Sequence, residues 1–225
     1  MRKITIATTL LATMFATGAL ANNNINFSNP YELYSGFSVG YGTNDFDLSA
    51  QFTSKVNPDW NLLGTYHSDS NFDNHDLRLG VINNQGLGYY VAYDYEAKYS
   101  NKNVRANSLE IGAHWSTPIN RNLKFTPEVS LGMFEHKKMT NTAYYTQLAL
   151  NMGYDTGKNI WLSVTPEYTY SFNDLKEDNG SRSSFRNWDL IADVGYKINN
   201  NQSLVYTYQY DDGDHLSLVS YRVGF

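Results

Sequence analysis

Residues 46–53 read Phe46-Asp47-Leu48-Ser49-Ala50-Gln51-Phe52-Thr53, an unbroken alternation of apolar and polar side chains. Successive side chains of a strand point to opposite faces, so Phe46, Leu48, Ala50 and Phe52 share one face and Asp47, Ser49, Gln51 and Thr53 the other. Outward from this stretch the alternation recurs from Tyr34 to Phe225. It predicts about twelve strands, at 33–42, 46–56, 60–68, 76–83, 87–97, 105–116, 123–134, 144–154, 160–172, 186–198, 202–211 and 215–225. Strands of about ten residues are long enough to cross a bilayer when tilted. The expectation is an all-β chain, a transmembrane antiparallel β-barrel of about twelve strands, with about ten to fourteen compatible with the pattern.

The connections alternate in length. Asn57-Pro58-Asp59, Asn83-Asn84-Gln85-Gly86, residues 117–122 and 155–159, and Asn199-Asn200-Asn201 are tight, whereas 68–75, 98–104, 135–142 and 173–185 are longer. Short turns at one end and longer loops at the other characterise outer-membrane barrels, with the short set in the periplasm. A local repeat, Thr126-Pro127-Glu128-Val129 and Thr165-Pro166-Glu167-Tyr168, falls on two strands of the same direction. Each proline removes a ladder hydrogen bond, so a bulge is expected at each.

The charge census says which face meets lipid. One parity carries Phe37, Val39 and Tyr41; Leu77, Leu79 and Val81; Leu109, Ile111 and Trp115; Val219, Tyr221 and Val223, and it excludes Asp, Glu, Lys and Arg. An Arg or Lys facing lipid near the bilayer centre costs about 2–4 kcal/mol, which accounts for the exclusion. A soluble barrel would have to enclose this whole aromatic and aliphatic set in its lumen.

Composition agrees. The chain has 225 residues, 41% hydrophobic and 15% aromatic, 17% charged, no cysteine and a formal charge of −5. That balance offers no basic surface for nucleic acid, and the lack of cysteine excludes a disulfide-stapled fold. Arg2 and Lys3, the apolar run from Ile4 to Phe15 and the small residues of Ala19-Leu20-Ala21 read as a cleaved signal peptide over residues 1–21. A short periplasmic segment, 22–32, then precedes a barrel over 33–225.

The last residue, Phe225, is preceded at alternate positions by Val223 and Tyr221. This end resembles the C-terminal assembly signal of bacterial outer-membrane β-barrels. Size and compact loops resemble the small twelve-stranded monomeric porins of the oligogalacturonate-specific and N-acetylneuraminate-inducible type. The resemblance implies passive solute uptake by a monomer. It also implies outer-membrane lipid, lipopolysaccharide and the barrel assembly machinery as partners. The sequence departs from that family in lacking many basic lumen residues, so the family's substrate is not carried over.

On the polar parity, Asp47, Asp94, Glu96, Glu110, Glu128, Glu167, Asp189 and Asp193 are the acidic pore-lining candidates, with Arg78, Lys124, Lys197 and Arg222 basic and His67 and His114 also inward. Counting from the tight turns places Glu110, Glu128, Glu167 and Asp193 near mid-height, as an acidic belt. Inward glycines at 40, 42, 80, 112, 132, 153 and 195 are expected to leave the bore open. His114-Trp115-Ser116 lacks a third group to orient a base, and Asp211-Asp212-Gly213-Asp214-His215 lacks the spacing of a calcium loop. No catalytic, cofactor or metal site is expected. Two readings follow: a small diffusion channel whose carboxylates favour cations or neutral solutes, and a structural or adhesive barrel closed by its own charge network.

Overall fold

The computed structural model describes residues 25–98, 104–184, 186–211 and 213–225. The proposed signal peptide lies outside the described residues, as does most of the loop expected at 98–104. Twelve strands form the wall: β1 (Gly36–Gly42), β2 (Asp45–Lys55), β3 (Trp60–Asp69), β4 (Asn74–Asn83), β5 (Leu87–Glu96), β6 (Ala106–Trp115), β7 (Leu123–His136), β8 (Ala143–Asp155), β9 (Ile160–Ser171), β10 (Arg186–Asn199), β11 (Gln202–Asp211) and β12 (Asp214–Gly224). Each pairs antiparallel with the next, and β12 returns to β1 through Phe37↔Val223, Val39↔Tyr221 and Tyr41↔Val219. The sheet is therefore closed, with no free edge strand, as a wall in hydrocarbon requires.

The sequence shapes one end with particular consistency. Here the near end is the one carrying the tight turns, the first described residues and Phe225. At this end an Asx side chain opens each hairpin and accepts backbone N–H groups beyond it: Asn57 for Asp59 and Trp60, Asn83 for Gln85 and Leu87, Asn120 for Asn122 and Leu123, Asp155 for Gly157, and Asn199 for Asn201. At the far end, residues 43–44 are also a short connection, so the alternation of loop lengths is only partial. Between β9 and β10, Leu175–Lys176 pairs with Arg182–Ser183, and Met139 bridges to Glu177, tying the β7–β8 and β9–β10 loops together.

The outward face is apolar and exposed, with Leu79, Val91, Ile111, Leu131, Leu148, Leu162, Val194 and Val219 among its residues. Aromatic rings border it at both ends, Trp60 stacked on Tyr89 near the tight turns and His75 stacked between Tyr66 and Tyr95 at the far end. Such paired girdles mark the two interfaces of a bilayer. An outward charge, Arg186, sits at the far rim with its guanidinium 4.8 Å from the Tyr170 ring.

Two expectations need correction. Neither proline makes a bulge: Pro127 stays opposite Leu150, and around Pro166 the β8–β9 ladder skips two positions with its register unchanged. A strand residue's N–H serves only one neighbour, so a missing donor opens one side of the ladder without adding a residue. The register shift of the β10–β11 pair lies instead between Lys197 and Asn199. The first strand also begins at Gly36, not at 33, because the residues before it do something else.

Candidate functional site

Residues 25–35 fold into the near end of the bore as a strap. Ile25 N–H donates to Asn200 O at 3.1 Å, and Ile25 and Phe27 are buried against Trp161 and Val205. The chain then passes β8, where Ser28 O lies so close to Gly153 that an added Cβ would sit 2.3 Å from it. It reaches β3 and β4, where Tyr31 buries with Leu63 and Ile82. It returns past β2, whose Gln51 amide donates to Glu32 O at 2.6 Å, and at Ser35 it is fixed to the wall by Thr53 N–H and Phe225 N–H. Leu63, Ile82, Trp161 and Val205 are inward residues, so the apolar core of this barrel lies at its near end and is completed by the strap.

Arg78 joins strap to wall. Its guanidinium donates to Tyr31 Oη at 2.8 Å, lies 3.3 Å from Glu128 Oε1, and sits 4.1 Å from the centre of the Tyr90 ring. Tyr90 Oη in turn donates to Glu128 at 2.6 Å. His114 stacks on Tyr31 with ring centres 3.6 Å apart, and neither of its ring nitrogens has a hydrogen-bond partner among the described residues. Ser116 contacts Asn29 and Thr126 rather than His114, so no nucleophile–base pair forms there. Lys124 pairs with Glu32 of the strap at 3.2 Å, Lys197 with Asp155, and Arg222 with Asp193 at 3.8 Å.

The inward glycines do not hold the bore open. A Cβ on Gly112 would fall 2.3 Å from the Tyr90 ring, on Gly132 2.3 Å from Tyr145, and on Gly195 1.9 Å from Trp161. Each ring lies across the glycine directly opposite it in register, as in Tyr90↔Gly112, Gly132↔Tyr145 and Trp161↔Gly195. The missing side chains admit aromatic rings flat against the wall.

Space remains in the far half. A cavity of about 270 Å³ is bordered by Asp47, His67, Asp69, Asp193, Thr207 and Arg222 among others. Another of about 230 Å³ is lined by Asp94, Glu96, Ser108, Glu110 and Tyr145, and one of about 180 Å³ between them carries Asp69, Asp76, Asp94 and Glu96. Asp47 is held by His67 at 2.6 Å, Asp94 accepts from Ser108, Glu110 from Tyr145 at 2.6 Å, and Glu167 from the Gln147 amide at 3.0 Å. Asp189 stands opposite Glu167 in the β9–β10 register. The expected mid-height belt is thus divided. Glu128 and Asp193 answer to arginines, while Glu110 and Glu167 face hydroxyl and amide donors. The strap residues Ile25, Phe27, Tyr31 and Glu32 were absent from the sequence expectation. Their trace is the run of large apolar residues at irregular spacing before the first strand, which would otherwise be exposed to water.

No family model matches this chain, and no curated protein matches its sequence. Solved structures do match its shape. An outer membrane channel from Pseudomonas putida F1 aligns with a TM-score of 0.59 at 8% identity, over 91% of this chain and 98% of that one. NanC porin aligns at 0.53 and 12% identity, over 84% and 97%. KdgM porin aligns at 0.50 and 8% identity, over 86% and 99%. The fold is that of the small outer-membrane porins. At these identities the likeness concerns architecture, and the lumen has to be read from its own residues.

Proposed function

We propose that this chain is an outer-membrane channel for the passive diffusion of small solutes, with a carboxylate-lined outer half that favours cations and neutral polar solutes. The near end is then periplasmic and the far end faces outside. The observation that carries this reading is the set of adjoining far-half cavities, whose walls hold Asp69, Asp76, Asp94 and Glu96 with no ion pair to any of them among the described residues. Carboxylates left to water in a low-dielectric tube raise the local concentration of cations. The girdled apolar wall supports a place in outer-membrane lipid beside lipopolysaccharide, and the last strand, with Tyr221, Val223 and Phe225, supports delivery by the barrel assembly machinery. Nothing in this reading calls for catalysis. Planar-bilayer recording in a salt gradient tests it: discrete conductance steps with a cation-selective reversal potential are expected, and silence from correctly folded protein in every variant would refute it.

The strap favours a second reading, a barrel that is closed. The Tyr31–Arg78–Glu128 contacts and the apolar seat of Ile25 and Phe27 fill the near end as a core fills a soluble domain.

A further inference from the structure

These two readings are reconciled if the closure can be undone. We propose that residues 25–35 are a releasable stopper of the near opening, hinged at Ser35, and that solute passes when the segment leaves its seat. The inference rests on the channel reading above.

The seat is built for the segment. Gly153 and Gly224 are the wall positions where it presses closest, with Ser28 O 2.3 Å and Ile25 Cδ1 2.1 Å from where a Cβ would be. A side chain at position 153 would meet the strap backbone and push it away, and one at 224 would displace the end of the Ile25 side chain, so the wall is recessed where the strap lies. Its side chains also match what they meet. Ile25 and Phe27 enter the pocket of Trp161 and Val205, Tyr31 meets an arginine and a histidine ring, and Glu32 meets a lysine.

The segment is nonetheless bonded mainly to itself. Asn29 N–H donates to Asn26 O, Glu32 N–H to Asn29 O and Tyr34 N–H to Glu32 O, while Ser28 N–H and Tyr31 N–H are capped by Asn26 and Asn29 side chains. From 25 to 34, the backbone-to-backbone bond given to the wall is that of Ile25 to Asn200. A strand torn from a sheet would leave a row of bare donors and acceptors, whereas this coil carries its own hydrogen bonds with it and exposes few unsatisfied groups on leaving. What is lost is the two apolar seats of Ile25 with Phe27 and of Tyr31, the Tyr31–His114 stack, and a few polar contacts, Ile25 to Asn200, Asn29 to Ser116, Tyr31 to Arg78, Glu32 to Lys124 and Gln51 to the strap backbone, which water can replace. Ser35 stays behind, held by Thr53 and Phe225 on opposite neighbours of β1.

Its position makes release consequential. The cavity of about 220 Å³ just above the strap has Phe27, Asn29, Pro30 and Tyr34 on one side and Gln51, Thr65, His67 and Arg222 on the other, and it shares His67 and Arg222 with the large far-half cavity. The strap is the floor of the open space.

The sequence contains no cysteine, so a thiol pair can be introduced without background. In a Glu32→Cys/Lys124→Cys protein, a short bifunctional methanethiosulfonate would bridge the positions now joined by the ion pair, with mass spectrometry to confirm the bridge. Single-channel recording should show current suppressed at least tenfold by the bridge and restored by dithiothreitol. Tyr31→Ala, and the milder Glu32→Gln, should raise the open fraction above that of the unmodified chain. If bridged and reduced proteins conduct alike, the channel reading stands and the stopper falls. If no variant conducts while all remain heat-modifiable barrels, the channel reading itself falls, and the stopper with it.

Discussion

The near and far halves of the bore belong to one continuous sheet, yet they treat charge in opposite ways. In the near half the inward lysines and Arg78 are matched to acids, Lys124 to Glu32, Lys197 to Asp155 and Arg78 to Glu128, and at the border with the large cavity Arg222 reaches Asp193. In the far half Asp69, Asp76, Asp94 and Glu96 crowd one wall without a lysine or arginine partner among the described residues. The difference follows from water. Where the strap and the aromatic rings close the bore, an unpaired ion would bear most of its desolvation cost, so charges persist only as pairs. Where cavities remain, there is room for solvent beside the carboxylates, and their neighbours need not cancel each charge. Charge pairing in this barrel therefore reports which part of the lumen is filled.

The largest effect should come from breaking a pair in the filled half. Arg78→Ala leaves Glu128 facing Tyr90 and the strap with no cation, at a cost of about 2–3 kcal/mol after allowance for the partial exposure of the pair. Urea titration followed by the shift between folded and unfolded gel bands measures it. Adding Glu128→Gln should recover most of the loss, since the stranded charge is then gone. An Arg78→Ala barrel as stable as the parent would mean that this half is wetter than its contacts indicate.

A smaller effect tests the filling itself. Gly195→Val places branched carbons into the space of the Trp161 ring, and overpacking of this kind costs about 1–3 kcal/mol. Combining it with Trp161→Leu should return part of that stability, whereas independent, additive losses in the same urea titration would show that ring and glycine do not share the space.

The barrel was legible in the sequence because period two is imposed residue by residue: a lipid-facing charge is penalised wherever it occurs, so Leu79, Ile111 and Val219 declare their side locally. Strand ends were legible through Asn57, Asn83 and Asn199, whose side chains act on the backbone two residues away. The strap was not legible, since its burial is created by a wall assembled from β2, β3, β4, β8, β9 and β11, and no local pattern encodes that. The glycines misled for a related reason. Gly112 and Gly195 are vacant in sequence, and only the register shows that Tyr90 and Trp161 lie across them. Which half of the acidic set is paired was likewise fixed by partners several strands away in sequence, as Arg78 and Glu128 show.

The smallest effect separates the halves by charge alone. Asp94→Asn with Glu96→Gln removes two carboxylates from the open half while keeping their shape, and the reversal potential in a salt gradient should move toward anion selectivity. Fields in such a bore are screened over about 10 Å at 0.1 M salt, so the shift should be larger in dilute than in concentrated salt. Asp155→Asn with Lys197→Gln removes one charge of each sign from the near half. Because that pair is already neutral as a unit, the reversal potential should stay where it was, even though the constriction lies closer to these residues. Equal shifts from the two double variants would contradict the comparison, since charge would then govern selectivity in both halves irrespective of pairing. A shift from the near pair alone would place the selective step at the strap and make the far half a vestibule without influence on what passes.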